Sequence, residues 1–118
     1  MTDADVISAQ KQICEEVGAV FMSTSKDSKV GISSNVKEGI IPINGVRVMP
    51  VGDTSGWYIW AGEELSTDDD FFKPLHAGHL SEWCPHVLKY LGLSPGWRFL
   101  VAGDYVDIWF DPEALALK

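Results

Sequence analysis

The sequence predicts an α+β fold: an antiparallel sheet of about five strands, an N-terminal helix and a short helix in the C-terminal half. Two observations carry the prediction. The stretch "GWYIWAGEE" (56–64) has a counterpart later in the chain, "GWRFLVAGD" (96–104). In both, a Gly-Trp pair opens an apolar run that closes on Ala-Gly and an acidic residue, which is typical of a strand between two turns. The second observation is helical periodicity near the N-terminus.

The N-terminal helix is predicted over residues 5–17. Its apolar residues recur near 3.6-residue spacing: Val6, Ile7, Ile13, Cys14 and Val17. Asp3 or Asp5 can cap its start, and Gly18 can end it. A first strand is then predicted over Ala19–Thr24, "AVFMST", because a short apolar run lies between Gly18 and a polar stretch.

The stretch from Lys26 to Gly45 is the least informative part of the chain. It is rich in Ser, Lys and Gly, and its one weak strand signal is "VGISS" (30–34). We therefore expect a loop there.

Two hairpins are predicted around the Gly-Trp segments. The first joins "GVRVMPVG" (45–52) to "WYIWAG" (57–62), and the second joins "WRFLVAG" (97–103) to "YVDIWF" (105–110) around Gly103-Asp104. A phosphate-binding loop is not indicated, because neither Gly-Trp segment has Lys, Ser or Thr where such a loop needs it. The repeat is thus interpreted as structural.

The segment between the hairpins divides into two parts. Residues 63–83 are expected to be irregular or to form one helical turn, interrupted at Pro74. Cys84-Pro85 then starts the short C-terminal-half helix "PHVLKYLG" (85–92), because proline is well tolerated at the first helical position and Gly92 ends the run. The final "DPEALALK" (111–118) is expected to be a short helical or frayed tail.

Composition narrows the class of function. The 118 residues suit one domain, 1–118, and carry a net charge of −8 from 17 acidic and 9 basic side chains. This balance argues against nucleic acid and anionic membranes as ligands, and it favours a basic protein partner. No apolar run approaches the ~20 residues of a membrane span, and "MTDADVISAQ" is not built like a signal peptide, so we expect a cytoplasmic protein. Homodimerisation is left open.

The best enzyme-like feature is a set of metal-capable side chains within a short stretch: His76, His79, Glu82, Cys84 and His86. It supports an alternative function, a small metal-dependent or thiol enzyme. Against this, Pro85 separates the last two side chains and no second Cys/His cluster completes a site. Cys14 and Cys84 form no CxxC motif and are expected to be reduced packing thiols. We therefore predict that His76, His79, Cys84 and His86 do not converge, and that the protein uses no metal, no cofactor and no catalytic residue.

An acidic–aromatic patch is the candidate partner-binding site. It comprises Glu63, Glu64, Asp68, Asp69, Asp70, Phe71 and Phe72. Acidic side chains steer a basic partner toward the surface, and aromatic side chains anchor it there. The order of ligands in a calcium-binding EF-hand is missing, and a simply solvated acidic loop is the competing interpretation.

The succession "SGWYIWAGEE", an acidic stretch, "CPHVLKYLGLSPGWRF" and a closing "DIWFDPEAL" resembles a small bacterial domain, immunity protein 33, which overlaps the domain of unknown function 2185. The likeness covers roughly Val46 to Glu113. It implies an antitoxin-like role, in which the protein binds and blocks a cognate toxin, and it implies no enzyme. It assigns no binding residue.

Overall fold

In the part of the chain that the structure describes, six strands form one sheet with the order β4-β1-β3-β2-β5-β6. The computed structural model describes residues 3–63 and 71–116. The strands are β1 (Lys29–Ser33), β2 (Ile43–Arg47), β3 (Thr54–Ala61), β4 (Phe72–His76), β5 (Trp97–Ala102) and β6 (Tyr105–Phe110). Five neighbouring pairs hold the sheet together: β1 and β3 run parallel, and the other four pairs are antiparallel.

The helices are α1 (Asp3–Val17) and the single-turn α2 (Leu80–Trp83). Short 3₁₀-helices cover Ser34–Glu38, Ala77–His79, Pro85–Tyr90 and Pro112–Ala116. In the described part of the chain, no helix has both the length and the apolar character needed to cross a bilayer.

Alternation along β3 shows how the sheet separates two apolar layers. Trp57 and Ile59 point to the main face and belong to the larger core, together with residues of α1 and of the Pro85–Tyr90 helix. Phe99 of β5 lies at its centre, with its ring centroid 5.5 Å from that of Trp57 and 5.1 Å from that of Tyr90. Tyr58 and Trp60, which alternate with Trp57 and Ile59 along β3, point to the second face, where a smaller cluster forms.

The α+β class is confirmed, and so are the two Gly-Trp strands: β3 contains Trp57–Ala61, and β5 is Trp97–Ala102. The hairpin of β5 and β6 turns at Gly103-Asp104, as expected. The sheet has six strands rather than about five, and it is mixed because of the parallel β1–β3 pair.

The strand predicted over Ala19–Thr24 is wrong, because this segment makes only an isolated bridge between Phe21 and Leu93. The reason is the side chain of Arg47. Its guanidinium donates to the Met22 carbonyl at 2.8 Å and to the Ser23 carbonyl at 3.2 Å, so these two acceptors are not free to bond to a neighbouring strand.

The loop expected from Lys26 to Gly45 is also wrong, since it contains β1, a 3₁₀-helix and most of β2. β1 carries the weak "VGISS" signal. It is a strand because Val30 and Ile32 are both buried in the core beneath the sheet, and because β3 and β4 hydrogen-bond to its two sides.

Three boundaries differ from expectation. Residues 71–83 form β4 and two short helical segments, and Pro74 is tolerated because β4 is an edge strand. The helix starting at Pro85 is present but is 3₁₀ and ends at Tyr90. The strand predicted over 45–52 ends at Arg47.

Candidate functional site

An aromatic cluster occupies the second face of the sheet where β4, β1 and β3 lie side by side. β3 supplies Tyr58 and β4 supplies Phe72, although β1 separates these strands. The two rings meet above Gly31 of β1, at a centroid distance of 5.1 Å and an interplanar angle of 73°. A Cβ atom at Gly31 would lie 2.7 Å from Cδ1 of Tyr58, so a larger residue there would displace the Tyr58 ring.

Phe71 and Trp60 extend the cluster. The Phe72 centroid is 4.9 Å from that of Phe71 and 6.1 Å from that of Trp60, and both contacts are edge-on. Val46 and Ala114 pack beneath Trp60. Phe71 and Phe72 are half-buried, so each packs in the cluster and still presents part of its ring to solvent.

A groove of about 270 Å³ adjoins this aromatic cluster. Its apolar lining includes Met49 and Val51, which are among the most exposed large apolar side chains of the protein. At its rim Lys29 and Asp53 form an ion pair with Nζ and Oδ2 3.0 Å apart, and this contact lowers the pKa of the Asp53 carboxyl. The volume of the groove is large enough for an apolar side chain.

The acidic–aromatic patch is described only in part. Glu63 is exposed just after β3, and Phe71 and Phe72 lie in the aromatic cluster. Glu64, Asp68, Asp69 and Asp70 fall outside the described residues. Sequence reasoning missed that Tyr58 and Trp60 join the two phenylalanines. A signal was available, because "WYIW" is apolar at every position and a strand that is apolar on both sides has both faces covered.

The three histidines and Cys84 lie in different environments. The rings of His76 and His79 lie 6.3 Å apart, and Nδ1 of His79 is 3.3 Å from Oε2 of Glu82. His86 is exposed and Cys84 is buried. Across residues 3–63 and 71–116, no three His, Cys, Asp or Glu side chains are grouped so that they could hold a metal ion.

The thiols are shielded from solvent. Burial raises the pKa of Cys84 to about 12, and it also raises the pKa of Cys14. A nucleophilic cysteine needs a thiolate at neutral pH, so the environment of Cys84 opposes the chemistry of a thiol enzyme.

A family model described as Imm33-like domain matches residues 9–111. The chain belongs to the Imm33-like family. The Imm33-like match includes all six strands and most of α1, whereas the sequence resemblance began only at Val46. It confirms the suspected immunity protein 33 family and gives no support to an enzyme. No curated protein and no solved structure shows a significant match to this Imm33-like chain.

Proposed function

We propose that this Imm33-like protein neutralises a cognate bacterial toxin by binding it directly, through the acidic–aromatic patch, and that the contacting surface of the toxin is basic. The observation that carries the proposal is the family match over residues 9–111. Immunity proteins act on toxin proteins, so a protein-binding surface is the feature to locate on this chain.

Charge and chemistry favour the patch. The net charge of −8 attracts a basic partner and speeds encounter. The patch joins acidic residues to an aromatic cluster in which Phe71 and Phe72 are only partly buried and lie against the sheet. Aromatic side chains held in this way lose little conformational entropy on binding, and they are enriched among residues that dominate affinity.

The first test is charge reversal in the patch. The chain is co-expressed with the toxin encoded beside it, and growth rescue and association rate are measured for wild type and for Asp68→Lys, Asp69→Lys, Asp70→Lys combined. We expect at least about tenfold slower association and a weaker dependence on salt, because the steering charge is reversed at the contact.

A matched control separates local from global charge. Glu15→Lys, Glu16→Lys and Glu38→Lys combined change the net charge by the same amount, at exposed positions on α1 and on the 3₁₀-helix after β1. If both variants rescue growth equally well, the patch is not the binding site. If no neighbouring toxin binds the wild-type chain, the proposed function itself is rejected.

The second test concerns Phe71, which has fewer ring contacts than Phe72. We expect Phe71→Ala to speed dissociation and to cost ~1–3 kcal/mol of binding free energy. Thermal unfolding of the free variant shows whether the cluster survives. Unchanged dissociation with an intact fold would remove Phe71 from the interface.

A further inference from the structure

β6 forms one edge of the sheet, and within the described residues its outer side is not paired with any strand. An edge strand presents unpaired N–H and C=O groups, and proteins usually guard such an edge with proline, lysine or a bulge. The opposite edge, β4, has both Lys73 and Pro74. β6 reads "YVDIWF", with neither residue and with Asp107 as its one charged side chain, and it pairs with β5 without a register shift.

The backbone groups that face outward can be identified. Gly103 has φ +62° at the first position of a two-residue loop, which corresponds to a type II′ hairpin closed by the Ala102–Tyr105 pair. At the other end, the Asp111 amide donates to the Gly96 carbonyl at 2.7 Å. Hydrogen-bonded pairs alternate in an antiparallel ladder, so the N–H and C=O groups of Val106, Ile108 and Phe110 point away from β5.

The side chains of this edge are apolar and exposed. Tyr105 is 60% exposed, Val106 44% and Phe110 46%. An extended segment laid along β6 would satisfy the outward backbone groups and cover these side chains together, which is how strand addition obtains affinity.

Charge indicates what kind of segment fits. Asp104 and Asp107 are exposed on the β5–β6 hairpin. The basic side chain of this hairpin, Arg98, is bonded to Asp111, with Nη1 and Oδ2 3.1 Å apart. The edge is therefore acidic, and it complements an extended segment with lysine or arginine among its apolar residues.

We propose that the β6 edge binds an extended, basic segment of the toxin by antiparallel or parallel strand addition. The identity of the partner rests on the proposed function, whereas the β6 edge is separate from Phe72 of the acidic–aromatic patch, since β6 and β4 are opposite edges of the sheet. A second copy of the chain fits the β6 edge less well than a basic segment, because it would bring the same net charge of −8 to this edge.

Amide hydrogen exchange, measured by NMR, tests strand addition at β6. It is measured on the wild-type chain, both free and saturated with the toxin encoded beside it. We expect exchange at Val106, Ile108 and Phe110 to slow at least about tenfold in the complex, because these amides acquire acceptors. This readout needs no variant and reports the edge directly.

A pair of variants then tests the hydrogen bond that the outward amide of Val106 would make to the toxin. Val106→Pro removes one outward donor and no bond to β5, whereas Val106→Thr keeps the donor and the β-branched shape. We expect Val106→Pro to weaken binding about tenfold relative to Val106→Thr, since an acceptor on the toxin is left unpaired. Circular dichroism checks that both variants fold, and if the proline variant does not, the wild-type exchange data decide.

The outcomes separate the two proposals. Toxin binding without added protection at β6 overturns the strand-addition proposal and leaves the proposed function standing. Protection in the free chain that rises with its own concentration assigns the edge to a second copy and also overturns it. Absence of binding rejects the proposed function, and the strand-addition proposal with it.

Discussion

The guanidinium of Arg47 lies inside the protein, and its side chain is only 2% exposed. It donates to the carbonyls of Ser55 at 2.9 Å, Met22 at 2.8 Å and Leu93 at 2.8 Å, besides the longer bond to Ser23. Burial lowers its pKa to about 10, which still leaves it charged at neutral pH. Composition could not reveal this role, because arginine is rarely fully buried.

Replacing Arg47 should therefore be costly. We expect Arg47→Met to lower the free energy of unfolding by about 3–5 kcal/mol, because several buried carbonyls lose their donor at once. Arg98→Met is the control: its side chain is half-buried and makes one ion pair, so we expect about 1 kcal/mol or less. Urea unfolding of both variants measures the difference, and equal losses would contradict the structural role of Arg47.

Cys84 gives a prediction about pH. Its pKa is raised from 9.0 to about 12 in the folded protein, so unfolding releases a proton once the pH exceeds 9.0. The stabilisation linked to the thiol is present below this pH and is lost as the pH rises toward about 12. Cys84→Ala lowers the free energy of unfolding relative to wild type, and we expect this loss to shrink by about 1 kcal/mol between about pH 8 and about pH 10. Urea unfolding at the two pH values measures it. A constant deficit would show that the thiol ionises freely in the fold.

At the scale of the strands, two glycines meet rings on opposite faces of the sheet. A Cβ atom at Gly45 would lie 2.1 Å from an atom of the Phe99 ring, which is fully buried between two other rings. At Gly31 the obstructing ring is that of Tyr58, which is only half-buried and is therefore less confined by its neighbours. The two sites thus differ in how well the neighbour can yield.

We therefore expect Gly45→Ala to lower the free energy of unfolding by about 2–3 kcal/mol and Gly31→Ala by about 1 kcal/mol, since overpacking costs more where the core cannot relax. Chemical denaturation of both variants gives the comparison, with each serving as control for the loss of glycine in a strand. A larger cost at Gly31 would mean that the second face is the more rigid one.

The elements that were predictable from sequence have strong local signals. The Gly-Trp strands combine aromatic and branched residues with glycine turns, and α1 has a clear helical period. β1 is short, contains Gly31 and is defined by its neighbours β3 and β4, so its burial is a tertiary property that no local pattern carries. β4 contains Pro74, which argues against a central strand and is compatible only with an edge.

The same limit applies to the candidate site. The acidic–aromatic patch could be named from its composition, but the packing of Phe72 on Tyr58 depends on the strand order, which places β1 and its Gly31 between them. The place of β6 at one end of the sheet order, with no further described strand beside it, is likewise a property of the tertiary structure.

For the molecule as a whole, the charge of −8 governs how a partner approaches. If the toxin is basic, its association rate with the wild-type chain should fall about tenfold when ionic strength rises from about 0.05 to about 0.5 M, while the dissociation rate changes little. Stopped-flow mixing at several salt concentrations measures both rates. An association rate independent of salt would show that the partner is not basic.

The hydrogen bonds of Arg47 also connect two stretches that are far apart in the sequence. Residues 19–24 and 91–93 are hydrogen-bonded to each other: the Met22 amide donates to the Gly92 carbonyl at 2.8 Å, and the Thr24 hydroxyl donates to the Leu91 carbonyl at 2.6 Å. One guanidinium bonds to both stretches. The connection after α1 is therefore held to residues 91–93, and we expect amide hydrogen exchange to show openings that expose both stretches together, with matching free energies.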